Sequence, residues 1–246
     1  PIPTLRTLHT GGAAVFPETA AGLQKAFPGT DVQAVYGSTE AEPIAVIGAA
    51  ELAADADMPY GVPAGTVSEF IELAIIPIGA EPESEVSEED WRRLQVAEGE
   101  AGEICVAGDH VLKTYYRSPD DMARNKVRVG GRIFHRTGDA GRMVNGRLFL
   151  LGRAGRVFRT ASGGWYFPAL AEHAIQALPG VSAGTVVRRT DGTAVLVLES
   201  ADAARAVSAA SGLDRSVVPY DEVKVVDLIP RDPRHASKID YGAIGV

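Results

Sequence analysis

Apolar positions recur along this chain in two rhythms. Alternating or continuous apolar runs, bounded by glycine, proline and aspartate, predict strands near 5–8 and over 32–36, 67–78, 104–107, 185–188, 194–199 and 222–226, with two more meeting at Gly146-Arg147 and ending at Phe149-Leu150-Leu151. Helical spacing instead marks 17–27, opened by Pro17 and with Leu23, Ala26 and Phe27 on its inner side. It also marks 169–178, where Leu170, Ala174, Ile175 and Leu178 share a face and Pro179-Gly180 stops the helix. Shorter helices are expected over 49–57 and 201–210, the latter capped by Ser200 and ended by Gly212. Residues 81–90 carry six acids and Pro82, which predicts an exposed loop. Strands interleaved with helices give an α/β first part, followed by a small α+β part.

With 246 residues, 46% of them apolar, the chain can bury a real core in one large or two modest domains. No apolar run reaches membrane-spanning length, so no transmembrane segment is expected. The single cysteine, Cys105, excludes an intramolecular disulfide, fits a reducing cytoplasm and reads as a small buried strand residue. The five histidines have no ligand spacing. Charge is uneven. Between Arg124 and Arg159 stand ten Lys or Arg against one acid, Asp139, in a chain whose net charge is −8. Such a segment can focus an anionic ligand. Nucleic acid is a poorer partner, because the chain is acidic overall and no aromatic side chains interleave with the arginines.

The stretch richest in chemistry is Tyr36-Gly37-Ser38-Thr39-Glu40, where Gly37 is expected to turn the chain sharply at a strand end. A stacking ring, hydroxyls suited to phosphate and a carboxylate suited to Mg²⁺ make a nucleotide cradle. A strand followed by a polar turn is the alternative. Gly11 and Gly12, followed by Ala13, would let backbone approach a ligand closely, or simply turn strand into helix. Asp139, in an expected Thr137-Gly138-Asp139 turn among cations, should stay ionised.

Tyr36–Glu40 resembles a core motif of the adenylate-forming superfamily, which includes acyl-CoA and aryl-CoA synthetases, luciferases and peptide-synthetase adenylation domains. Further blocks follow in the same order: Thr10-Gly11-Gly12-Ala13, Gly102–Gly108, Arg136-Thr137-Gly138-Asp139, Gly152-Arg153 and Ser237-Lys238-Ile239-Asp240. The resemblance implies ATP/AMP and Mg²⁺ as ligands and a small-molecule carboxylic acid as substrate. It implies that Gly11, Gly12 and Ala13 lie against adenine, that Asp139 accepts the ribose hydroxyls, and that Arg153 reaches the ribose and phosphates. Lys238 would be the catalytic lysine of adenylation, and Thr39 and Glu40 would act on phosphate and metal.

The same resemblance implies a large AMP-binding domain whose C-terminal portion is 1–153, and a lid over 154–246 that swings about Ala154-Gly155. The acidic hinge residue common in the family is absent from Ala154-Gly155-Arg156. In coenzyme A ligases the loop matching Gly163-Gly164 enters the site after lid rotation. The family's upstream glycine- and hydroxyl-rich phosphate loop has no counterpart here. An N-terminal part of the same domain is therefore expected in cis or on another chain, and this chain alone is expected to be inactive. The Asp-x-Arg-His-x-x-Lys-Ile pattern of Asp232–Ile239 looks like bacterial olefin β-lactone synthetases, as do Phe134–Asp139 and Gly152–Val157. Those enzymes activate a 3-hydroxy acid and close it to a β-lactone. Arg234 and His235 then become second-step candidates, with His235 either orienting the Lys238 loop or acting as a base. An acyl-CoA or acyl-AMP ligase for fatty or aryl acids, and a catalytically incomplete binding module, are the alternatives.

Overall fold

A computed structural model describes every residue except Pro1, Pro3 and Arg234, and gives His235, Ala236 and Ser237 as backbone only. The chain divides into two compact units, Pro1–Gly155 and Arg156–Val246. In the first unit the elements run β1 (Thr7–Gly11), α1 (Pro17–Ala26), β2 (Asp31–Ser38), β3 (Ala41–Gly48), α2 (Ala49–Ala54), β4 (Val62–Val67), β5 (Glu72–Ile76), β6 (Glu85–Val86), α3 (Glu88–Leu94), β7 (Gly102–Ala107), α4 (Pro119–Asn125), β8 (Lys126–Val129), β9 (Arg132–Val144) and β10 (Arg147–Arg153). Among the described residues these strands form one sheet in the order β1-β2-β3-β4-β10-β9-β7-β5, with β8 on β9 and β6 on β8.

β1 and β2 are parallel, and α1 supplies the crossover that a parallel pair requires. Ala20 of α1 and Leu52 of α2 pack on Val32, Ala34 and Ile47, covering one face of this corner. Ala20, not Ala26, is the buried alanine of α1; Ala26 is exposed in its last turn. β7 is buried along its whole length. Ile104 and Val106 enter one cluster with Ile44 and Leu148, whereas Cys105 and Ala107 enter another with Trp91 and Phe134. A strand covered on both faces reads as continuous rather than alternating, which is why 104–107 shows no polar interruption. Gly102 belongs there because a Cβ would sit 2.2 Å from the Ile76 carbonyl oxygen.

The stretch from 67 to 90 also departs from expectation. Of the strand expected over 67–78 only Glu72–Ile76 is strand; Val67 is the last residue of β4, and between them Ile71 N–H donates to the Ser68 carbonyl in a turn. The acidic run is not a plain loop. Glu85–Val86 pairs with β8, and Ser87 caps α3 by accepting from Asp90 N–H at 3.1 Å. Glu88, Glu89 and Asp90 then lie in the helix's first turn, where negative charge complements the exposed N–H groups. Much of the basic segment is paired with acids of the same unit. Arg132 meets Glu72 and Glu88, Arg136 meets the buried Glu103, and Arg147 meets Glu51 and Asp55.

The second unit runs β11 (Phe158–Arg159), β12 (Trp165–Tyr166), α5 (Pro168–Gln176), β13 (Ala183–Arg188), β14 (Ala194–Glu199), α6 (Ala203–Ala210), β15 (Glu222–Val226), β16 (Arg231–Asp232) and β17 (His235–Ile239). Its three-stranded sheet is ordered β13-β14-β15. Leu196 and Leu198 of β14 face Ala171 and Ile175 of α5 and Ala206 and Ala210 of α6, whereas Val195 and Val197 face Ile229, Ile239 and Tyr241. Asp202 rather than Ser200 caps α6, accepting from Arg205 N–H at 3.0 Å. Ser200 instead donates to the Gly180 carbonyl at 2.7 Å, tying the end of β14 to the turn after α5. No helix among the described residues is long and apolar enough to cross a membrane.

Glu199, at the end of β14, accepts from Arg231 Nη1 and Ile229 N–H, both at 2.8 Å. Burial pushes its carboxyl upward, but the Arg231 and Ile229 hydrogen bonds and the arginine charge outweigh that and hold it below the usual range. The pair therefore stabilises the fold above the unfolded Glu value of about 4.3 and loses this contribution as pH falls through the lower folded value. Arg231→Met should cost about 2 kcal/mol at pH 7, below the ~3–5 of a fully buried pair because Arg231 stays partly exposed. Urea unfolding should show that cost shrinking at acid pH. An equal cost at pH 7 and at pH 3 would show that the ion pair is not its source.

Candidate functional site

The Tyr36–Glu40 stretch is a hairpin. β2 continues through Gly37 and Ser38, and the chain reverses at Thr39-Glu40 before β3. The sharp turn expected at Gly37 thus comes two residues later. Gly37 sits where the ladder shifts register between Tyr36 and Ser38, and a Cβ there would lie 2.8 Å from the Ala41 carbonyl oxygen. Close approach of the two hairpin arms, not of a ligand, is what this glycine permits. Thr39 is exposed at the tip.

Asp139 lies inside β9 rather than in a turn, paired in register with Arg153 of β10. Arg153 Nη1 donates to its Oδ1 at 2.9 Å, and Tyr36 donates its hydroxyl to Oδ2 at 3.0 Å. Thr137 accepts Asp139 N–H at 3.1 Å and donates to the Ile104 carbonyl at 2.9 Å, which fixes the backbone beneath the carboxylate. The Tyr36 phenol is pushed well above its ordinary value by burial and by the Asp139 charge, so it remains a donor. Gly11 pairs with Val35, one residue before Tyr36, and a Cβ on it would meet the Val35 carbonyl at 2.5 Å. Gly12 follows with φ +84° and open space beside it, then Ala13. Because β1 and β2 are parallel, the segments after Gly11 and after Ser38 leave at the same carboxyl end of the pair, where open α/β sheets bind ligands.

Glu40 is held from several sides. Its Oε1 accepts from the Tyr115 hydroxyl at 3.1 Å, its Oε2 lies 3.9 Å from His135 Nε2, and its N–H donates to Ser38 Oγ at 3.3 Å. Burial raises the carboxyl, but its own backbone N–H, then the Tyr115 hydroxyl, His135 and the Ser38 hydroxyl, hold it below the ordinary glutamate value. Tyr115 is raised to about 12 by burial and the Glu40 charge. Lys126, almost fully buried, lies 5.0 Å over the Tyr115 ring and is lowered to about 8, chiefly by burial. His135 is lowered to about 4 by burial and then by Lys126. Lys126 and Tyr115 are not apparent from sequence as site residues, and His135 lies in the Phe134–Asp139 block without a role of its own. The signal available was a lysine and a histidine placed where strand pattern demands burial. No group of three or more metal-type side chains occurs among the described residues. A single carboxylate suits Mg²⁺, which completes its shell with phosphate oxygens and water.

The remaining candidates belong to the second unit. Gly163, with φ +86°, and Gly164 form the turn between β11 and β12, closed by Thr160 N–H donating to the Gly164 carbonyl at 2.9 Å. Lys238 is exposed on β17, a strand paired with β16 and not the expected loop. Arg234 and the side chain of His235 lie outside the described residues.

This is the fold of adenylate-forming enzymes. The amide bond synthetase McbA from Marinactinospora thermotolerans matches with a TM-score of 0.71 at 23% identity, over 98% of this chain and 46% of that one. The o-succinylbenzoate coenzyme A synthetase MenE from Bacillus subtilis, solved in complex with AMP, matches with a TM-score of 0.71 at 21% identity, over 97% and 45%. Residues 1–116 match the AMP-binding enzyme family, and the chain belongs to that family. An olefin β-lactone synthetase from Stenotrophomonas maltophilia is 34% identical over 202 residues, 74% of this chain and 36% of the relative. A D-alanine–D-alanyl carrier protein ligase from Bacillus cytotoxicus is 30% identical over 152 residues, 62% of this chain and 27% of the relative. The chain spans about a third of the length of these curated relatives.

The two kinds of glycine in this site should respond differently to a methyl group. Gly37→Ala should destabilise by about 2–3 kcal/mol, because backbone of the paired strand must move. Gly12→Ala, with free space but a left-handed backbone, should cost only about 1 kcal/mol. Urea midpoints of the two variants decide this, and equal costs would remove the hairpin explanation for Gly37.

Proposed function

We propose that this chain supplies the nucleotide site and lysine-bearing lid of an ATP-dependent ligase that activates a carboxylic acid as its acyl-adenylate. The acid we assign is a 3-hydroxy acid, closed afterwards to a β-lactone. The observation that carries the first part is the Asp139 carboxylate of β9, oriented by Arg153 and by Tyr36, which lies near the carboxyl end of the parallel β1–β2 pair. A carboxylate offers about four lone-pair sites, so vicinal ribose hydroxyls can be accepted beside those two donors. Glu40 would help hold Mg²⁺, which neutralises phosphate charge when bound. The substrate carboxylate oxygen attacks the α-phosphorus and pyrophosphate leaves. Lys238 stabilises the negative charge that develops there. Gly11–Ala13 border the base, and Arg153 also faces the phosphates. Phosphate contacts beyond these would come from a part of the protein carrying the family's phosphate loop.

The second part rests on similarity to olefin β-lactone synthetases from two organisms, at 34% and 32% identity. The 3-hydroxyl oxygen attacks the acyl carbon, the bond to AMP breaks, and the hydroxyl proton is lost to solvent or a base. Both reacting groups belong to one molecule, so positioning supplies much of the rate. The Gly163-Gly164 turn favours a second reading, in which a thiol such as coenzyme A takes the acyl group.

Two measurements on the protein in its full coding length test these assignments. Asp139→Ala should raise the Kd for ATP at least tenfold, whereas Lys238→Ala should slow single-turnover adenylation by about 10²–10³-fold with ATP affinity nearly kept. Unchanged adenylation in Lys238→Ala would remove the lysine from the mechanism. With ATP, Mg²⁺ and a long-chain 3-hydroxy acid, AMP should be released without coenzyme A, and the product should be one water lighter than the acid. A 3-deoxy acid should be adenylated but not turned over. AMP release that needs coenzyme A and ignores the hydroxyl would replace the lactone reading with the thiol-transfer one.

A further inference from the structure

The hairpin that carries Lys238 is too small to hold itself. β16 has two residues and β17 five, and their register is set by the pairs Arg231↔Ile239 and Asp232↔His235. An isolated two-stranded ribbon is marginal at best in water. Along β17 the side chains alternate, so exposed Lys238 and its neighbour Ile239, packed among Val195, Val197 and Ile229, point to opposite sides. The direction of Lys238 therefore depends on what fixes the two feet of the hairpin.

Each foot ends on a carboxylate of the second unit. At the entry, Glu199 of β14 accepts from Ile229 N–H and from Arg231, and Arg231 also donates to the Ile229 carbonyl at 2.8 Å. At the exit, Asp240 N–H donates to the Pro230 carbonyl at 2.9 Å, closing the feet together. The next residue, Tyr241, donates its hydroxyl to Glu172 Oε1. Fully buried Thr185 of β13 donates to the same oxygen at 3.1 Å. Tyr166, also fully buried, accepts Val186 N–H at 3.2 Å and joins this network through the Thr185 hydroxyl, 3.4 Å from its own. Glu172 projects from α5, so the exit foot is tied to both a helix and the central sheet.

The apolar packing of α5 is carried by Ala171 and Ile175, not by residue 172. A leucine there would avoid the cost of burying an acid but would leave the Thr185 and Tyr241 hydroxyls without this acceptor. What the acid adds is direction, since it accepts one hydroxyl from the sheet and one from the segment immediately after β17. We propose that Glu172 and Tyr241, with Glu199 and Arg231 at the opposite foot, are positioning residues that hold the β16–β17 hairpin in register and so aim Lys238. The catalytic consequence rests on the role of Lys238 proposed above; the clamp itself does not.

The test uses the protein in its full coding length and the variants Tyr241→Phe, Glu172→Leu and Glu172→Gln. Tyr241→Phe keeps the ring in its packed place and removes only the hydroxyl, and Glu172→Gln keeps an acceptor. Amide hydrogen exchange of β17 should quicken at least tenfold in Tyr241→Phe and Glu172→Leu relative to β13 and β14, with Glu172→Gln restored towards the parent. Single-turnover adenylation should fall at least tenfold in the first two variants with the KM for ATP unchanged. Exchange that rises equally in β13, β14 and β17, or does not rise, overturns the clamp, because both outcomes reduce Glu172 to a general stabiliser. Faster β17 exchange with unaltered adenylation overturns the aiming of Lys238. If Lys238→Ala also leaves adenylation unaltered, it is the lysine assignment that has failed, and the exchange data alone then judge the clamp.

Discussion

The first unit depends on a single carboxylate held between two halves of one sheet. Asp139 is reached by Tyr36 from β2 and by Arg153 from β10, and these strands are connected only through β3 and β4. Whatever sets the spacing of that seam sets the site. Gly65 of β4 shows how close the seam is, since a Cβ there would stand 2.2 Å from the Val46 carbonyl oxygen of β3. The geometry around Asp139 is thus decided by backbone contacts on strands that carry none of the site's own side chains.

Glu40 illustrates a different means of placing a charge. It sits at the end of a hairpin, where backbone alone would leave the side chain loose, and Tyr115, His135 and Ser38 restrain it instead. Lys126 lies behind this group, buried and over the Tyr115 ring. A partly exposed carboxylate is thereby kept ionised and oriented without being sealed from solvent.

Much of this arrangement could be read from residues. The strands at 104–107 and 194–199 are apparent because apolar side chains run on almost without interruption, and that at 222–226 because polar and apolar residues alternate; β7 and β14 prove to be covered on both faces. The site blocks could be read because glycines and hydroxyls fall at positions where only a few residue types serve. What stayed hidden depends on contacts distant in sequence. The acidic run reads as a loop by charge alone, and only Ser87 with Asp90 three residues later marks it as a helix start. Asp139 reads as a turn residue because Thr-Gly-Asp favours turns, whereas long-range pairing with β7 and β10 draws it into a strand. Ser200 reads as a cap, but the chain uses it to secure the end of β14 and caps α6 two residues later.

The bond between Tyr36 and Asp139 closes a loop of 103 residues. Contacts of such span slow folding, because chain entropy must be surrendered before they repay it. No fragment that ends before β9 contains the contact, and a nascent chain gains it only after the sheet order is complete. A ligand that needs both residues has no purchase on partly folded species. Its binding free energy is added whole to the native state, which makes occupancy of this site a brake on global unfolding and not merely on the fraying of one edge.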